Sequence, residues 1–113
     1  MKIQVNTDRN VEVSADLAER IEADVTSALS RFEARLTRVE VHLRDESSGR
    51  ATGEDIRCLL EARPAGLDPV AVTNHASTSF EALRVATERL AALLSSKLER
   101  LESHRHRETI RGR

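Results

Sequence analysis

The chain of 113 residues has no tryptophan, no tyrosine and only two phenylalanines, Phe32 and Phe80. Its core must therefore be built from Leu, Val, Ile and Ala. The same scarcity removes the stacking platforms on which single-stranded nucleic acid is usually held. One cysteine, Cys58, excludes an intramolecular disulfide and makes a reducing cytoplasm the expected compartment. No apolar run reaches the length of a signal h-region or a membrane span. The four glycines are scattered, so there is no phosphate-cradling loop. Excess charge is missing too: 18 basic and 19 acidic side chains leave a net charge of −1, which does not announce a nucleic-acid binder.

What is present is enough for one domain. A chain this long buries roughly two-thirds of its unfolded surface and needs no staples. Apolar content of 39% beside charged content of 33% predicts a folded, very soluble domain rather than disorder. The charge is unevenly distributed. Residues 1–30 hold three basic and six acidic side chains, and residues 97–113 hold six basic and three acidic ones. The C-terminal end is the basic pole.

Periodicity predicts the elements. Ile3 and Val5 alternate with Lys2, Gln4 and Asn6 in a short first strand, and residues 7–10 are turn-like. Ser14 is the expected N-cap of a helix running to about Leu36. Leu17, Ile21, Val25, Ala28, Leu29, Phe32 and Leu36 fall within an arc of about 120° on that helix. In TRVEVHLR, residues 37–44, Val39, Val41 and Leu43 alternate with Arg38, Glu40, His42 and Arg44, giving a strand with one dry and one charged face. A polar loop, DESSGRATGED, follows over residues 45–55. Ile56, Cys58, Leu60 and Ala62 then alternate with Arg57, Leu59, Glu61 and Arg63. The segment PAGLDP, residues 64–69, is a turn, and Val70 and Val72 mark a fourth strand. Thr78 and Glu81 have the spacing of a capping box. It opens a second helix to about Ser103, with Phe80, Leu83, Ala86, Leu90, Leu93, Leu94, Leu98 and Leu101 along one side. The tail, residues 104–113, lacks apolar periodicity and is expected to be disordered.

The expected fold is α+β, in the order β-α-β-β-β-α. It has a four-stranded mixed sheet with two roughly parallel helices on one face. The first crossover makes strands one and two parallel, and the short turns make strands two to four an antiparallel meander. The other sheet face is then open, with Arg38, Glu40, His42, Arg44, Arg57, Glu61 and Arg63 projecting from it and opposite charges able to pair across strands. Leu59 is the one sizeable apolar side chain expected there.

Nothing in the chain assembles a catalytic centre, and no enzyme activity and no cofactor are expected. Cys58 lies on the apolar side of its strand without a cationic neighbour, as a structural thiol does. His42 and His75 are isolated. His104 and His106 in a basic tail do not make a metal site. Basic residues carry the stronger signal. Arg31, Arg35 and Arg38 end helix one and begin strand two. Arg89, Lys97, Arg100, Arg105 and Arg107 lie along the later part of helix two and the tail. Parallel helices would bring these to one edge of the sheet as a single patch, and arginine suits bidentate contact with phosphate. Helix-dipole matching and i,i+4 pairing, for example by Glu99, would place the same residues there without any ligand.

MKIQVNTDRNVEVSADLAERIE, RFEARLTRVEVHL and EALRVATERLAALLSSKLERL, in that order, resemble the hibernation promoting factor family. This is also called the sigma-54 modulation or ribosomal subunit interface family. The resemblance covers about residues 1–103, with residues 104–113 as a tail beyond the ribosome-binding domain, and is to the family's short form. It implies the β-α-β-β-β-α fold. It further implies a stress-related translation inhibitor in the cytoplasm that binds small-subunit ribosomal RNA in the channel of messenger and transfer RNA. Arg31, Arg35, Arg38, Arg89, Lys97, Arg100, Arg105 and Arg107 would be its phosphate-binding residues. The alternative expectation is a protein-interaction or regulatory module that kept the fold without tight RNA binding. It would form a homodimer, or hold a protein partner, through the open sheet face at Leu59 or through an edge strand.

Overall fold

A computed structural model describes residues 1–8, 14–46 and 55–111, with side chains through Leu101. The first turn and the DESSGRATGED loop lie largely outside the described residues. So do the side chains of His104, Arg105, His106 and Arg107.

The element order is β1 (Lys2–Thr7), α1 (Ala15–Ala28), a 3₁₀ segment (Ser30–Arg35), β2 (Leu36–Asp45), β3 (Ile56–Pro64), β4 (Val70–Ala76) and α2 (Ser79–Arg111). The four strands form one sheet in the order β1-β2-β3-β4. β1 runs parallel to β2, and β3 runs antiparallel to both its neighbours, β2 and β4. The α+β class and the mixed sheet are therefore as the sequence predicts. No helix among the described residues is long and apolar enough to cross a membrane.

Strand periodicity does its work at the sheet. Val39, Val41, Leu43, Cys58, Leu60 and Ala62 point to the helices and are buried completely. Ile21, Val25, Leu29, Phe32, Leu83, Ala86, Leu90, Leu94 and Leu98 close over them. At roughly 1.5–3 kcal/mol for each large side chain removed from water, this layer dominates the folding free energy. Burial pushes the Cys58 thiol up from 9.0 to about 12, so it stays protonated and inert.

α1 ends earlier than Leu36. Ser14 caps its start, its side chain accepting from the Leu17 N–H at 3.1 Å. After Ala28 the chain tightens into the 3₁₀ segment. The Ser30 hydroxyl donates to the Ser27 carbonyl at 3.0 Å, competing with the helical ladder. The Phe32 N–H bonds to the Leu29 carbonyl, three residues back, at 2.9 Å. A three-residue turn keeps Leu29 and Phe32 on the same buried face and delivers Leu36 to the start of β2. The β3–β4 turn has the Leu67 N–H on the Pro64 carbonyl at 3.2 Å. Gly66 there takes φ 75°, a conformation that favours glycine.

α2 begins as expected, with the Glu81 N–H donating to the Thr78 hydroxyl at 3.1 Å. The Glu81 carboxylate takes the Ser77 hydroxyl at 3.4 Å. Two further corrections concern α2. Its backbone stays helical to Arg111, past the expected end near Ser103. The tail holds no proline, and its first glycine is Gly112, so nothing local stops the helix earlier. Phe80 and Leu93 do not join the core. They are 37% and 39% exposed.

Candidate nucleic-acid interface

The helices run side by side in the same direction. Early residues of each meet, Arg20 beside Phe80, and late residues meet, Arg31 and Arg35 beside Ser95, Leu98 and Glu99. Both C-terminal ends therefore reach the sheet end that carries the Pro64–Leu67 turn. There Arg35 borders a hollow floored by Leu67, Leu98 and Leu101. Lys97 and Arg100 border an adjoining hollow that shares Leu67 and Leu101. Arg31, Arg35, Lys97 and Arg100 thus surround one apolar floor from both sides of α2.

Three of these cations are not absorbed by acidic neighbours. Among the described residues, no ion pair involves Arg31, Lys97 or Arg100. The Arg31 guanidinium lies over the Phe32 ring at 4.6 Å, and the Arg100 Nε donates to the Ser96 carbonyl at 3.4 Å. Glu99, the pairing partner foreseen for this region, accepts from the Ser95 hydroxyl at 3.1 Å.

Two expected members of the patch lie elsewhere. Arg89 is on the outer flank of α2, its Nη1 donating to the Thr73 carbonyl of the edge strand β4 at 3.4 Å. Arg38 is on the opposite face of the sheet, between Lys2 of β1 and Arg63 of β3 in the strand register. One patch along a sheet edge is therefore corrected to a four-residue cluster at one end, with two outliers. The helix pattern could not show this, because α2 itself divides Arg31 and Arg35 from Arg89, Lys97 and Arg100.

The open sheet face carries the charged residues expected of it, in a register that the sequence did not show. Residues directly opposite each other on β2 and β3 carry like charges: Arg38 with Arg63, Glu40 with Glu61, Arg44 with Arg57. Opposite charges pair across strands as expected, but diagonally, and also along a strand. Arg63 reaches Glu40 at 3.3 Å and Glu61 at 2.9 Å. At the other end Arg44 lies 4.0 Å from Asp8, and His75 lies 2.9 Å from Glu46. Leu59 sits half-buried between these charged rows, opposite His42 and Thr73.

One contact has no precursor in the sequence pattern. The Arg20 guanidinium stacks on the Phe80 ring at 4.2 Å, joining residues far apart in the chain. Both phenylalanines thus carry an arginine, and the near-absence of aromatics does not leave the surface without a stacking platform.

No protein of curated function matches the chain. Among solved structures, the chain is similar to the N-terminal domain of Protein Y from Thermus thermophilus. The TM-score is 0.65 and the identity 20%, over 83% of this chain and 96% of that one. It is also similar to a ribosomal subunit interface protein from Coxiella burnetii, with a TM-score of 0.67 and 14% identity over 88% and 99% of the two chains. At these identities the two structures share the fold. A family model described as Sigma 54 modulation protein / S30EA ribosomal protein matches residues 4–102. With nearly all of β1 through the packed part of α2 inside that match, the chain belongs to the sigma 54 modulation / S30EA ribosomal protein family.

Proposed function

We propose that this chain is a ribosome-associated hibernation factor that blocks translation by occupying RNA rather than by catalysis. Its partner is small-subunit ribosomal RNA in the messenger and transfer RNA channel. The single observation that carries this reading is the convergence of Arg31, Arg35, Lys97 and Arg100 around Leu67, Leu98 and Leu101. Arginine forks offer paired donors to phosphate oxygens. Arg31, Lys97 and Arg100, which have no ion pair among the described residues, spend no energy leaving an acidic partner to make that contact. Each phosphate neutralised releases condensed counterions, so binding falls steeply with salt. Arg38, Arg89, Arg105 and Arg107 are assigned peripheral phosphate contacts. The bulk of the folded domain supplies the steric block.

Sedimentation of the purified protein with ribosomes on sucrose gradients tests this reading. Salt-sensitive co-migration with small subunits supports it, provided that the exposed double substitution Arg31→Glu, Arg100→Glu abolishes the co-migration. Absence of the wild-type chain from every ribosomal fraction at low salt contradicts it.

A further inference from the structure

Between α1, from Arg20 to its last residue Ala28, and the first turns of α2 lies a cleft of about 370 Å³, lined by Arg20, Asp24, Ala28, Phe80, Leu83, Arg84, Thr87 and Glu88. It shares no lining residue with the hollows of the basic cluster, which lies further along both helices. Its size falls at the small end of ligand sites, which span roughly 300–1,000 Å³. Ala28 and Leu83 give it apolar walls. Its polar groups differ sharply in availability. The Thr87 hydroxyl is committed to the Leu83 carbonyl at 2.6 Å. Glu88 is held by Arg84 at 3.1 Å. Asp24, exposed on α1, has no hydrogen bond or ion pair among the described residues.

We propose that this cleft takes one unstacked guanine base. The Arg20–Phe80 stack is a flat platform of the kind on which extruded RNA bases rest. Phe80 is one of only two exposed large apolar side chains among the described residues, so the ring is open to a ligand. An ionised carboxylate only accepts hydrogen bonds. Guanine alone among the four RNA bases presents two adjacent donors on its Watson–Crick edge, N1–H and the N2 amino group. Asp24 can take both as a charge-assisted pair. Adenine, cytosine and uracil each put an acceptor beside their donor, and the carboxylate repels it. Arg20 and Arg84 flank the cleft and favour the phosphates on either side of the base.

The inference rests on the RNA reading above when the base belongs to ribosomal RNA, and a free guanine nucleotide offers the same chemistry. Fluorescence anisotropy with 5′-labelled hexaribonucleotides tests it: UUUGUU, the same sequence with inosine or adenine in place of guanine, and all-uridine. Guanine should bind roughly ten-fold tighter than adenine or uridine, the discrimination expected of a bidentate base contact. Inosine, lacking the N2 amino group, should fall between. Asp24→Ala should remove the guanine preference without weakening all-uridine binding. Asp24 is an exposed helix position, so the variant should keep the wild-type circular dichroism. Phe80→Ala should weaken all four oligomers. Equal binding of guanine and adenine, or a guanine preference that survives Asp24→Ala, overturns the proposal. Displacement of UUUGUU by GMP assigns the cleft to free nucleotide. Guanine preference without displacement assigns it to RNA. If ribosome co-migration fails while the guanine preference holds, the ribosome reading falls and the cleft stands. Co-migration with indifferent oligomer binding removes the cleft alone.

Discussion

The helical end of the molecule and the open face of its sheet both display arginines, and they use them differently. At the helical end Arg31, Lys97 and Arg100 have no acidic partner among the described residues. On the sheet face Arg63 is shared by Glu40 and Glu61, Arg44 is near Asp8, and His75 is bonded to Glu46. Composition counts these side chains alike. Availability separates them. A guanidinium already satisfied by carboxylates must break those contacts before it meets a phosphate, whereas an unpaired one exchanges only water and counterions. The near-neutral total of −1 therefore conceals one end built to attract polyanions and one face on which carboxylates hold Arg44 and Arg63.

The sharpest way to break this comparison is to reverse charge on each side in turn. Arg31→Glu with Arg100→Glu removes two charge-assisted contacts and should lower ribosome affinity by about 100-fold. The matched pair on the sheet face, Arg44→Glu with Arg63→Glu, both held by carboxylates, should change it by less than about three-fold at moderate salt, where exposed charges beyond a Debye length are screened. Equal losses in the two variants, read from quantitative pelleting, would erase the distinction.

Stability should show the converse ordering. Arg63→Ala leaves Glu40 and Glu61 facing each other across β2 and β3 without their shared cation. A loss of about 1 kcal/mol is expected in urea unfolding, against little change for Arg31→Ala. An unaffected Arg63→Ala midpoint would mean that the sheet-face pairing is incidental.

A smaller effect tests the core that separates the two surfaces. The folded Cys58 thiol keeps its proton until about pH 12, while the unfolded one loses it near 9.0. The folded state thus binds more protons between these values, so stability should fall as pH rises from 9.0 towards 12. Cys58→Ala should make that decline shallower. A thiol that reacts with a thiolate-selective reagent at pH 8 without prior unfolding would contradict its burial.

Much of the fold was legible in residues alone, because alternation and helical spacing report directly which side of an element is dry. Val39, Val41 and Leu43 against Arg38, Glu40 and His42 sort the two sheet faces correctly. Ser14 and Thr78 mark both helix starts. The misreadings share a cause: each depends on what lies opposite, which a linear pattern does not contain. The 3₁₀ turn at Ser30–Arg35 arises because Phe32 has to follow Leu29 into the core. Like charges meet across β2 and β3 because register is set by the buried faces, and the outward rows inherit it. The basic cluster was foreseen in type and in its Arg31, Arg35, Lys97 and Arg100 members. The separation of Arg38 and Arg89 required the packing of α2. The Arg20–Phe80 stack could not be read at all, since it joins two helices with no shared periodicity.

The central claim is that unpaired cations at the helical end hold the ribosome. The most direct measurement is the salt dependence of small-subunit binding for the wild-type chain and the Arg31→Glu, Arg100→Glu variant, compared as slopes of log affinity against log salt. The account predicts a steep wild-type slope that becomes shallower by about 0.7–0.9 for each phosphate that the variant no longer neutralises, together with the drop in affinity. Identical slopes and affinities in the two proteins would contradict it.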